Sequence, residues 1–148
     1  MASALVGTLV LPDGAELRGR GLGRPKPGGP DPEYGLYLGS DRLRRRHDPA
    51  LDWDHDWIRW PDFLLPLDWS RARSRILGLH SRALAGEAVE VACHGGVGRT
   101  GTVLACLATA AGLAPGEAVA WVREHHDHRA VETAWQRRWV RWFATSGS

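Results

Sequence analysis

The sequence predicts an α/β fold, with a central, mostly parallel sheet flanked by helices. Three observations carry that expectation. Short β-prone runs (Tyr34 to Leu38, Asp56 to Trp60 and Ala88 to Ala92) alternate with longer stretches of helical periodicity. Between Ala88–Ala92 and the apolar, helix-forming run Thr100 to Ala111 lies the glycine-rich stretch VACHGGVGRTGT, a turn joining a buried strand to a buried helix. Glycine and proline clusters fall between the periodic segments rather than within them.

Each element follows from local chemistry. Ala4 to Leu11 and Glu16 to Arg20 flank Pro12-Asp13-Gly14-Ala15, a strand–turn–strand signal. Gly21 to Pro32 is too rich in glycine and proline for anything but a loop. After the strands at Tyr34 and Asp56, Trp69, Ala72, Ile76, Leu79 and Ala83 recur at helical spacing, with Asp68 as N-cap and Gly86 as terminator. Pro115 opens a further helix to about His125, and Val131, Trp135, Trp139 and Trp142 mark the face of a last one. We expect one domain over residues 1–148: a hairpin and Gly/Pro-rich loop in 1–33, then a core in 34–143.

Bulk composition excludes several classes. An apolar fraction of 43% and eight tryptophans suit globular packing, no apolar run approaches membrane-spanning length, and no signal segment opens the chain, so a soluble cytoplasmic protein is expected. Net charge is +2, and of 19 basic residues Lys26 alone is not arginine. No aromatic interleaving or groove-reading motif supports nucleic acid. The two cysteines, Cys93 and Cys106, make neither a disulfide framework nor a zinc site; Cys106, mid-helix among Leu104, Ala105 and Leu107, reads as a small buried hydrophobe. Asp52, Asp54 and Asp56 fall on one strand face and read as a solvated acidic edge rather than a metal site. Arg42, Arg44, Arg45 and Arg46 read as a solvated helix face, or as an attractor of acidic phosphosubstrates or lipid headgroups. His125, His126 and His128 read as a solvated helix end.

The chemistry concentrates at the turn. Cys93 would sit at a strand end, facing backbone N–H groups of His94, Gly95, Gly96, Val97 and Gly98, a helix N-terminus and the Arg99 guanidinium. Each stabilises negative charge on sulfur, the form that attacks phosphorus, and each attracts a phosphate dianion. Arg99 can grip two phosphoryl oxygens, and the Thr100 hydroxyl can donate to the sulfur as it leaves. A leaving alkoxide or phenoxide also needs a proton. Asp62, bracketed by Pro61 and Pro66 on a segment 31 residues before Cys93, offers one.

Cys93, five residues, then Arg99-Thr100-Gly101 resembles the signature of the cysteine-dependent protein tyrosine phosphatases, and WPDFLLP resembles their acid-bearing loop. The likeness spans Tyr34 to about Phe143, and the chain length is closest to the compact dual-specificity branch. It implies Cys93 as nucleophile, Arg99 as phosphate clamp, Thr100 as stabiliser of the leaving thiolate and Asp62 as general acid. VETAWQ (131–136) is similar to the family's water-positioning segment, with Glu132 in place of its first glutamine and Gln136 keeping the second. Ala92 replaces the histidine common before the cysteine; His94, inside the loop, would instead bring a cation to the pocket floor. The implied substrate is a phosphorylated protein or small phosphomonoester, with no metal and no cofactor. A phosphoinositide substrate and a phosphate-binding module without turnover are the alternatives. HGGVGRTG also resembles a nucleotide-hydrolase P-loop, but lacks that motif's lysines and its magnesium-binding hydroxyl at Gly101.

Overall fold

The computed structural model describes residues 5–146, so the outermost residues of the expected domain, Ala4 of the expected first strand among them, lie outside the described residues. In chain order the elements are β1 (Leu9–Val10), β2 (Glu16–Gly21), β3 (Tyr34–Gly39), α1 (Asp41–His47), a 3-10 turn (Asp48–Ala50), β4 (Asp54–Arg59), α2 (Trp69–Leu84), β5 (Val89–Cys93), α3 (Gly98–Ala110), α4 (Pro115–His125) and α5 (Ala134–Thr145). They form one five-stranded sheet in the order β1-β2-β5-β3-β4. β2, β5, β3 and β4 run parallel and β1 joins antiparallel, giving the mostly parallel sheet that the alternation predicts.

Side chains divide with the strand period of two. Leu36 and Leu38 of β3, with Val89, Val91 and Cys93 of β5, enter the larger core beneath α2, α3, α4 and α5, while Tyr37 and Ala92 enter a smaller cluster with Trp57 and Leu51. The helical layers are therefore unequal. The smaller cluster is backed by Leu43 of α1, a helix of seven residues capped by Ser40, whose Oγ accepts from Leu43 N–H. The basic run 42–46 forms its exposed face, and basic residues fill its last turn, where they complement the helix dipole.

Several boundaries differ from expectation for visible reasons. β1 is only two residues long because the left-handed Gly7 (φ 78°) interrupts the extended run. α3 starts at Gly98, two residues before Thr100, as the turn winds directly into the helix. Asp68 does cap α2, accepting from Arg71 N–H at 3.0 Å. Asp52, Asp54 and Asp56 are all exposed, with Asp54 and Asp56 on the edge strand β4. Cys106 is fully buried in α3, and burial pushes its thiol pKa up. No described helix is long and apolar enough to cross a membrane.

Candidate active site

β5 is the central strand, and its carboxyl end opens where parallel α/β sheets gather ligands. Cys93 is its last residue, buried, with Sγ accepting from Gly96 N–H at 3.2 Å and from the Thr100 hydroxyl at 3.0 Å. The carbonyl groups of His94, Gly95 and Gly96 in the following turn are engaged from outside. Gly23 N–H donates to His94 O (2.9 Å), Arg24 Nε to Gly95 O (3.1 Å) and His126 Nε2 to Gly96 O (2.7 Å). Because a trans peptide sets C=O and the next N–H in opposite directions, outward carbonyls turn the N–H groups of Gly95, Gly96 and Val97 inward. That ring of donors is an anion cradle. Gly96 holds it at φ 76°, where a Cβ would meet Arg20 C and Gly21 N at 2.6 Å. His94 lies elsewhere than on the pocket floor: it is exposed, and its ring lies so close to Gly23 that a Cβ there would be 2.5 Å from Cε1.

Arg99 is 4% exposed. Its Nη1 donates to Trp60 O at 2.9 Å, its Nη2 stands 3.4 Å from Asp62 Oδ1, and its Nε is buried without a protein partner among the described residues. An anionic oxygen would satisfy that donor. The guanidinium thus links the turn to the segment bearing Asp62, whose side chain is 56% exposed at the mouth. This acid segment is fixed at several points: Leu67 N–H to Arg59 O (3.1 Å), Trp60 Nε1 to Leu64 O (2.8 Å) and Trp135 Nε1 to Phe63 O (2.6 Å). Phe63 holds φ 60°, a left-handed conformation uncommon outside glycine. Asp68, the other carboxylate near the segment, is engaged in capping α2.

Residues 130–136 complete the wall. Gly98 and Gly101 let this segment approach α3: a Cβ on Gly101 would lie 2.5 Å from Ala130 Cβ, and the Glu132 carboxylate fills the place of one on Gly98. Arg123 donates to the carbonyls of Ala130 and Val131, both at 2.9 Å, and Val131 is held at φ 59°. Such strain in a β-branched residue persists only where surroundings over-determine it. Gln136 is fully buried. Its Oε1 accepts from Glu132 N–H (2.9 Å) and Thr133 N–H (3.3 Å), so it shapes the start of α5, while its Nε2 has no partner among the described residues. Burial and the Asp62 charge raise the Glu132 pKa, with Arg129 and Arg99 acting against them.

The expected site residues Cys93, Gly95, Gly96, Val97, Gly98, Arg99, Thr100, Asp62, Glu132 and Gln136 are brought together here, with His94 turned aside. Four others also contribute: Arg24, Arg123, His126 and Trp135. His126 is half-buried against the turn rather than part of a solvated helix end. None carried a sequence signal for this role, because their partners lie 7 to 72 residues away and are backbone carbonyls.

This turn, on this sheet, is that of a cysteine-based phosphatase of the protein tyrosine phosphatase class. Residues 69–146 match the DSP-PTPase phosphatase domain of Swiss Army Knife proteins, PTP-SAK, and the chain belongs to that family. The match begins just past the acid segment. Similar solved structures include Tk-PTP in a mutant form (23% identity, 78% of this chain and 79% of that one, TM-score 0.66). The kinase associated phosphatase, with its catalytic cysteine replaced by serine, aligns at 15% identity over 76% and 69% of the two chains (TM-score 0.64). PTPMT1 in complex with PI(5)P aligns at 14% identity over 77% of each chain (TM-score 0.57). No curated protein matches by sequence.

Proposed function

We propose that the chain hydrolyses phosphomonoesters, phosphotyrosine or phosphoserine/threonine in proteins first among them, through a phosphocysteine. The supporting observation is the convergence on Cys93 Sγ of two donors, with Arg99 and Asp62 3.4 Å apart at the mouth. The thiolate attacks phosphorus, forming the S–P bond as the P–O bond to the leaving group breaks, and Asp62 delivers its proton to the departing oxygen. Inward N–H groups and Arg99 hold the equatorial oxygens as charge redistributes. Water then attacks phosphorus, Asp62 takes its proton, and sulfur departs as thiolate toward Thr100 and Gly96. Glu132 serves as acceptor for that water, positioned by Gln136 through its backbone N–H.

Leaving groups test the assignment of the acid. Asp62→Asn is expected to slow hydrolysis of aryl phosphates by roughly 100- to 10,000-fold, most for the most basic phenols, the range typical of general acid catalysis. An equal loss across all leaving groups would remove Asp62 from that role. Phosphotyrosyl and phosphoseryl peptides and a phosphoinositide, compared by kcat/KM on the wild type, rank the substrate classes.

A further inference from the structure

Outside the phosphatase centre, at the root of the acid segment, lies a recess of about 540 Å³ in which four arginines meet. Arg44 comes from α1, Arg59 from the end of β4, and Arg71 and Arg75 from successive turns of α2, i and i+4 on one face. Against these four cations the lining supplies one carboxylate, Asp68, in a chain whose formal net charge is only +2. Asp68 is itself committed to the Arg71 backbone N–H. Arg59 pairs with Asp41 at 3.1 Å, and Arg75 donates to the Trp57 carbonyl. Among the described residues Arg44 and Arg71 form no direct ion pair, although the Arg44 charge acts on Asp48. Apolar surface is supplied at the edge by Leu67, which is 67% exposed, while the Trp57 ring packs away in the smaller cluster.

We propose that this recess is a second anion site that takes a phosphate group, gripped by Arg44 and Arg71 with its organic body on Leu67. Guanidinium forks brought together from separate elements match phosphate oxygens in charge and geometry, and an anion relieves their mutual repulsion. Arg59 directly precedes the acid segment and Leu67 directly follows it, the two being joined by Leu67 N–H to Arg59 O. An anion here therefore sits against both ends of the segment bearing Asp62. The phosphate belongs either to a multiply phosphorylated substrate or to a separate phosphorylated ligand. Binding at the recess stands apart from the proposed reaction, while the substrate case rests on it.

Titration with inorganic phosphate, followed residue by residue in ¹H–¹⁵N spectra, separates the two sites. Saturable shifts are expected both in the turn 94–100 and around Arg44, Leu67 and Arg71. In the double variant Arg44→Ala/Arg71→Ala the second set is lost, the first is kept, and p-nitrophenyl phosphate turnover stays within about twofold, since neither side chain reaches the turn. Absence of the second set in the wild type, or its persistence in the variant, overturns the proposal; loss of the first set would count instead against the phosphatase centre. One phosphotyrosyl peptide, with and without a second phosphate, identifies the source. A roughly tenfold fall in the variant's kcat/KM for the doubly phosphorylated form alone, as expected for one lost charge-assisted grip, assigns the anion to the substrate. Equal rates assign it to a separate ligand.

Discussion

The Glu132 carboxylate occupies the space beside Gly98 and faces Asp62 and Arg99 across the entrance to the anion cradle. A second negative charge there opposes an incoming phosphate dianion. Its raised pKa means that Glu132 is neutral at acid pH and becomes anionic as pH rises through that value. Glutamine keeps the shape and an acceptor oxygen but never acquires the charge. Glu132→Gln is therefore expected to raise kcat/KM at neutral pH by about fivefold, the equivalent of about 1 kcal/mol for charges at contact range in water. The gain should vanish at acid pH. A pH–rate profile equal to wild type throughout would show that the carboxylate does not sense the substrate. Cys93, Arg99 and Thr100 were legible from sequence because their spacing is local to one turn. The effect of Glu132 was not, because it depends on how closely Gly98 admits a segment more than thirty residues downstream.

Trp135 shows the same limit at the scale of elements. Its helical spacing with Trp139 and Trp142 places it on a core face, yet it is 45% exposed and its indole donates to Phe63 O in the acid segment. α5 thus latches the segment that the bond from Leu67 N–H to Arg59 O of β4 closes at its base. One such hydrogen bond is worth about 1 kcal/mol net, a factor of about five in the population of the latched segment. Trp135→Phe keeps the ring and removes the donor. We expect a fall in kcat of about fivefold with KM for p-nitrophenyl phosphate and the melting temperature nearly unchanged; an unaltered kcat would mean that the latch does not control Asp62. The elements themselves were readable where periodicity was long, as in α2 and α4, and where strands were apolar, as in β3 and β5. α1 is too short for periodicity to define its bounds, and the unequal layering of helices follows from packing that no local pattern encodes.

Across the whole molecule, the sheet that aims Cys93 is tied together on its α1 side by a buried charged group. Glu90, on β5, accepts from Arg18 (2.6 Å) and Arg20 (2.9 Å) of β2 and from the Tyr37 hydroxyl (2.7 Å) of β3. Burial works against its charge, but bonds from Arg20, Tyr37 and Arg18 outweigh it and hold the pKa below the ordinary 4.5. Its stabilising contribution is therefore complete above 4.5 and is lost as pH falls through the lower folded-state value. Glu90→Gln leaves Arg18 buried without a counter-charge, and a loss of about 3 kcal/mol in urea unfolding at pH 7 is expected. The difference from wild type should shrink on acidification below 4.5, and a constant difference would mean that the charge of Glu90 is not what binds these strands. The most direct measurement of the proposed function is hydrolysis of p-nitrophenyl phosphate from pH 5 to 8, with reductant and EDTA present, by the wild type and by Cys93→Ser. The expected result is metal-independent turnover by the wild type, none by the variant, and a rapid-quench phosphopeptide that maps to Cys93. Turnover in the variant, or loss of wild-type activity to EDTA, would contradict phosphoryl transfer through Cys93.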